Sequence, residues 1–176
     1  MSDQQLSEER ILLIEQFYSL QARSTSVRFL QAKIAEAIAK HVPHFNWTGF
    51  YMLDPNDPTM LVLGPFVGDP TPHARIPVTQ GICGAAVSTG ETVIVDNVGS
   101  DPRYLSCSIE TKSEIVVPIY ASGKVVGEID IDSHDPEAFN ENDRVFLEAV
   151  ARIVGRYIEE HPAEALVPQS SPAPEP

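Results

Sequence analysis

Residues 113–133 read SEIVVPIYASGKVVGEIDIDS, and this stretch decides the fold. Glu114 to Tyr120 and Lys124 to Asp132 are runs rich in β-branched residues on either side of Ser122-Gly123, which predicts a hairpin. Successive side chains of a strand point to opposite faces, so Glu128, Asp130 and Asp132 share one face, and Ile129 and Ile131 the other. If the isoleucines face covering helices, the acids line the opposite face or a cavity in it. Three like charges on one strand face persist comfortably only when exposed, partly protonated or bound to a cation.

Working outward, the flanking patterns are helical at the ends and strand-like between. Ile11 to Leu20 is an apolar-rich stretch after Ser7-Glu8-Glu9. Val27, Leu30, Ile34, Ile38 and Val42 recur three or four apart and form one apolar stripe. Val145, Phe146, Ala149, Val150, Ile153, Val154, Tyr157 and Ile158 form a wide face after the N-cap candidate Asn140. Between these helices, strands are expected at Phe45 to Leu53, at Met60 to Phe66 after the turn Asp54-Pro55-Asn56-Asp57-Pro58, at Arg75 to Val78 and at Thr92 to Val95. Two helices, several antiparallel strands and a closing helix make an α+β fold, with helices covering one face of the sheet. The expected domain spans residues 1–160. From His161 to Pro176 the chain is proline-rich with little to bury, which predicts a disordered tail.

The formal net charge of -13 disfavours nucleic acid and anionic membranes as partners. No stretch approaches the roughly 20 apolar residues of a membrane helix, and the polar opening from Met1 to Arg10 does not read as a signal peptide. Two cysteines in such a chain point to reduced thiols in the cytoplasm.

Four segments carry candidate chemistry. In Asn46-Trp47-Thr48-Gly49-Phe50-Tyr51, Trp47, Gly49 and Tyr51 share a face. The aromatics read either as core or as the wall of a site, with the glycine leaving room for something small. Gln80-Gly81-Ile82-Cys83-Gly84 reads as a tight loop opening a short helix, where the helix dipole favours a thiolate and burial would leave an inert thiol. Cys107 sits in a polar loop between strands, with Lys112 nearby in sequence, and is a candidate reactive thiol. The acids of the last strand are the fourth. Cys83 and Cys107 lack the close paired spacing of zinc sites, so no metal or other cofactor is expected.

These residues together resemble a GAF domain, specifically the free methionine-(R)-sulfoxide reductases. The matching stretches are Asn46-Trp47-Thr48-Gly49-Phe50-Tyr51, Leu63-Gly64-Pro65-Phe66, Arg75-Ile76-Pro77, Gly81-Ile82-Cys83-Gly84, Cys107, Ser113-Glu114-Ile115-Val116, Pro118 and Asp130-Ile131-Asp132-Ser133. The resemblance implies thiol-dependent reduction of free methionine sulfoxide, with Cys107 as nucleophile and thioredoxin as reductant. It implies that Glu114, Asp130 and Asp132 hold the substrate against Trp47 and Tyr51. Crowding of these carboxylates raises the pKa of at least one, which makes Glu114 or Asp130 the expected general acid. Cys83 matches a second family cysteine, twenty-four residues before Cys107, and is the candidate resolving thiol. The chain departs from the pattern at two places. His73 stands where many members have a third cysteine, and Glu128 replaces an expected apolar residue, which suggests an exposed strand end. A non-catalytic GAF sensor, a redox-sensing module and a homodimer formed through the first helix stay open as alternatives.

Overall fold

A computed structural model describes residues 7–106 and 108–163. The central hairpin forms as the alternation requires: β5 spans Ser113–Ala121 and β6 spans Lys124–Ser133. Ser122 and Gly123 both have positive φ, 51° and 75°, the geometry of a type I′ turn. β1 (Trp47–Asp54) pairs antiparallel with β6, and β2 (Asp57–Val67) pairs antiparallel with β1. Two short strands, β3 (Arg75–Pro77) and β4 (Val93–Val95), close the edges, giving an antiparallel sheet in the order β3-β2-β1-β6-β5-β4.

One face of this sheet is covered by α1 (Glu8–Gln21), α2 (Val27–His41) and α4 (Glu141–Glu160). Ile115, Val117, Ile119, Ile129, Ile131, Phe50 and Met52 point into that layer and meet Leu30, Ile34, Ile38, Phe146, Val150, Ile153 and Tyr157. Removing that apolar surface from water is the main drive for the layer, at roughly 25 cal/mol per Å². Asn140 caps α4 as expected: its side chain accepts from the Asn142 and Asp143 amides, while Asp143 reaches back to the Asn140 amide. Asp143 also pairs with Arg10, whose guanidinium lies over the Phe146 ring, so the cap ties α1 to α4.

Several expected limits move. α1 begins at Glu8 rather than Ile11, because Ser7 caps it by accepting from the Arg10 amide. β2 starts at Asp57, inside the expected turn, since Asp54 and Asp57 already pair across it. A fourth helix, α3 (Gly81–Thr89), lies on the opposite face of the sheet, where Ile82, Cys83 and Ala86 pack with Trp47, Tyr51, Leu63 and Val116. Gly84 permits this packing: a Cβ there would come within 2.9 Å of the Val78 carbonyl oxygen. The sheet is thus buried on both faces, which explains why β1 and β5 are covered almost throughout. At the C-terminal end, His161 stacks on Tyr157, and residues 164–176, most of the expected tail, lie outside the described residues.

Candidate active site

The face under α3 carries the acids. In the ladder Glu114 pairs with Asp132, Val116 with Asp130 and Pro118 with Glu128. On the other side of β6, Trp47 pairs with Asp132, Gly49 with Asp130 and Tyr51 with Glu128. The period of two therefore stacks Glu114, Glu128, Asp130 and Asp132 against Trp47 and Tyr51 in one layer. All four carboxyl groups are buried.

Glu128 is the clearest correction to the sequence reading. It is not at an exposed strand end but fully buried in mid-strand, at 0% exposure, and neither carboxyl oxygen has a hydrogen-bond partner among the described residues. Burial lifts its pKa to about 8. Burial, and then the charge of Glu128, lifts Asp130 to about 8 as well. Glu114 rises well above the usual carboxyl range through burial and then through Asp130, Asp132 and Glu128, and Asp132 rises through burial and Asp130. A buried acid without a cation sheds its charge because the charged form loses its water.

Cys83 lies in the first turn of α3, as the sequence predicts, but its chemistry is the reverse of a helix-terminal thiolate. It is 5% exposed, and its Sγ donates to Asp130 Oδ2 at 3.7 Å. Burial first, then the charges of Asp130, Glu128 and Glu114, push its pKa well up. A helix dipole is worth only about 0.3–1 kcal/mol, and it loses to burial among carboxyl groups.

Trp47 forms the wall above. It stacks on Phe66 with centroids 5.4 Å apart and on Tyr51 at 6.3 Å, and its Nε1 donates to the Asp69 carbonyl at 3.0 Å. The room that Gly49 leaves is taken by the Trp47 indole itself: a Cβ at Gly49 would collide with that ring and come within 2.9 Å of Phe66 Cβ. Tyr51 is fully buried and donates its hydroxyl to the His73 carbonyl at 2.9 Å. Beside this wall is a cavity of about 240 Å³, lined by Asn46, Trp47, Gly68, Asp69, Thr71, Ser108, Thr111, Asp132 and His134. That is below the drug-sized range and suited to a small ligand. A larger groove of about 630 Å³, between α4 and the edge at Tyr120, contains none of the candidate residues.

Of the predicted site residues, Trp47 and Asp132 line the cavity, while Tyr51, Glu114, Asp130 and Cys83 lie in the buried layer behind these two and do not line it. Cys107 lies outside the described residues, and so does any contact between it and Lys112, which is exposed. The segments flanking Cys107 are tied down: His73 Nε2 is 3.1 Å from the Ser106 carbonyl, Tyr104 donates to the Ser108 carbonyl, and Leu105 packs over Gly81 at the start of α3. Thr111 and Phe66 were not singled out from sequence as site residues. The buried Thr111 Oγ1 has no partner among the described residues and lines the cavity, and only its place beside the acids of the folded sheet marks it.

A GAF-domain family profile matches residues 24–159. The chain belongs to the GAF domain family. Its relatives within that family include free methionine-R-sulfoxide reductases. The one from Saccharomyces cerevisiae is 45% identical over 112 residues, a match that spans 63% of this chain and 62% of the yeast protein. The one from Escherichia coli is 36% identical over 117 residues, or 66% of this chain and 68% of that protein. The crystal structure of the Neisseria meningitidis free methionine-R-sulfoxide reductase in complex with its substrate superposes with a TM-score of 0.82 and 33% identity, covering 90% of this chain and 95% of that chain. No helix among the described residues is long and apolar enough to cross a membrane.

Proposed function

We propose that the protein reduces free methionine-(R)-sulfoxide to methionine through Cys107. The observation that carries this reading is the buried layer of Glu114, Asp130 and Asp132 beside a small cavity walled by Trp47. Free methionine sulfoxide brings an ammonium, an apolar thioether arm and a polar sulfur–oxygen bond. Carboxyl groups held away from water bind an ammonium through charge-assisted hydrogen bonds, and an indole face suits the methyl and methylene groups and the sulfur. The identities to free methionine-R-sulfoxide reductases support the same reading.

In the proposed step, the Cys107 thiolate attacks the sulfoxide sulfur while a protonated carboxyl group, Glu114 or Asp130, gives a proton to the oxygen. The raised pKa values of these acids keep such a proton available near neutrality. The oxygen passes to the cysteine sulfur. Methionine leaves reduced by two electrons, and Cys107 remains as a sulfenic acid, oxidised by two. A second thiol then condenses with the sulfenic acid, releasing water and forming a disulfide, which a dithiol such as thioredoxin reduces. Cys83 is the candidate second thiol in the chain. Its raised pKa disfavours the thiolate that this attack needs, so an external thiol is the competing route. A homodimer also stays a proposal; Ile11, Leu12 and Tyr18 on α1 are the exposed apolar side chains on which it would draw.

The test is a thioredoxin-coupled assay on free methionine-(R)-sulfoxide, with the (S) epimer as control. Turnover of the (R) epimer that disappears in Cys107→Ser is expected. Turnover surviving in Cys107→Ser contradicts the thiol mechanism, and binding without turnover by the unmodified protein favours the sensor reading.

A further inference from the structure

We propose that Cys83, Glu114 and Asp130, with Glu128 as a fourth donor, form a binding site for a divalent cation of borderline softness, zinc(II) being the biological representative. One ligand atom from each of Cys83, Glu114 and Asp130 lies within 4.8 Å of the others, and all three residues are buried. The three come from α3, β5 and β6, far apart in sequence, so the spacing argument that excludes a zinc motif does not reach them.

A cluster of acids is common without a metal; the unsatisfied atoms inside this one set it apart. Both oxygens of Glu128 and Oδ1 of Asp130 are sealed from solvent without a hydrogen-bond partner among the described residues. Glu128 sits beside the Cys83 thiol, which itself donates to Asp130. No Lys, Arg or His forms an ion pair with any of the four among the described residues; Arg103, which feels the charge of Glu114, is bound to Asp101 at 2.6 Å. Buried polar atoms left without partners cost about 1–3 kcal/mol each, and a coordinated dication would satisfy them together.

The donor set selects the ion. A thiolate with carboxylate oxygens suits zinc(II) or a similar borderline metal over magnesium or calcium, which take oxygen alone. Donors around tetrahedral zinc stand roughly 3.5 Å apart, so carboxyl rotations that draw the Cys83, Glu114 and Asp130 atoms in by about 1 Å supply three donors. The unpartnered Glu128 carboxyl beside Cys83 is the group that would have to turn in as the fourth. The nearby cavity reaches Asp132, which pairs with Glu114 across the ladder, and none of the four donors lines it. Because Glu114 and Asp130 are also the acids proposed to hold the substrate ammonium, zinc and substrate would exclude each other. That consequence rests on the reductase reading; the binding itself does not.

The test is titration of Cys107→Ser with cobalt(II), a coloured stand-in for zinc that leaves Cys83 as the sole thiol. One equivalent is expected to bind with a sulfur-to-cobalt charge-transfer band in the near ultraviolet, displaced by zinc. The band should vanish when Cys83→Ser is added, and in Glu128→Gln, which keeps the thiol, affinity should fall about tenfold or more. Circular dichroism checks that each variant is folded. No charge-transfer band in Cys107→Ser, or an equal band without Cys83, overturns the proposal. Methionine sulfoxide is expected to displace the cobalt. If the band titrates but the substrate leaves it unchanged, the metal site stands and the reductase reading of these acids fails.

Discussion

The two faces of the sheet are built from the same strands and obey opposite rules. On the helical face, Ile115, Val117, Ile129 and Ile131 meet three helices in a dry apolar layer. One residue along in each strand, Glu114, Glu128, Asp130 and Asp132 are buried just as deeply. The first face removes apolar area from water and holds the fold together. The second removes carboxyl groups from water at a cost, and no Lys, Arg or His among the described residues pairs with them. A buried arrangement that costs stability persists where function uses it, and that contrast is the strongest physical indication of where the chemistry lies.

The contrast can be broken experimentally. The largest effect is expected on the helical face: Phe146→Ala should destabilise the protein by about 3–5 kcal/mol in urea unfolding while the folded fraction keeps its activity. A comparable loss of activity per folded molecule would mean that the faces are not separable. On the acid face, Glu114→Gln should do the opposite. It should lower kcat/KM by about 2–4 kcal/mol, roughly thirtyfold to a thousandfold, through the loss of a carboxyl group proposed to hold the ammonium or to give the proton. Stability should be equal or higher, because a neutral isostere is easier to bury. Unfolding of Glu114→Gln with the same midpoint but unchanged kinetics would remove Glu114 from the site.

A pH series sharpens the same comparison. Glu128 has an ordinary pKa of 4.5 and is raised to about 8 in the folded protein. The folded state then holds a proton that the unfolded state has lost, so stability falls as pH rises from about 4.5 to about 8 and levels off above. The slope is about 1.4 kcal/mol per pH unit for each such group. Glu128→Gln should flatten part of that slope, whereas a wild-type slope over this range that Glu128→Gln leaves unchanged would mean the acid is ionised in the fold. Smallest is the cap at the edge of the helical face: Asn140→Ala should cost about 1 kcal/mol and leave activity unchanged, read from the thermal midpoint.

Most of the fold was legible because alternation and helical spacing are local. The Ser122-Gly123 hairpin, the Asn140 cap and the division of β6 into an isoleucine face and an acid face all follow from period and turn chemistry. What escaped was set by elements that meet from afar. Nothing in the string GEIDIDS tells whether its acids face water or α3, so Glu128 read as exposed when it is sealed. Cys83 was placed correctly at a helix start, yet its surroundings come from two strands some thirty to fifty residues away. The space at Gly49 was real but is filled by the tryptophan two residues earlier, folded back over the strand.

The central claim is that the buried carboxyl layer recognises the substrate's free ammonium. It is tested most directly by comparing kcat/KM for methionine-(R)-sulfoxide with that for its N-acetyl derivative, which keeps the sulfoxide and loses the charge. Sites built to pair a substrate's polar group reject the analogue lacking it, here by at least about a hundredfold. Equal turnover of the two substrates would contradict the account, since the acids under α3 would then contribute nothing to recognition.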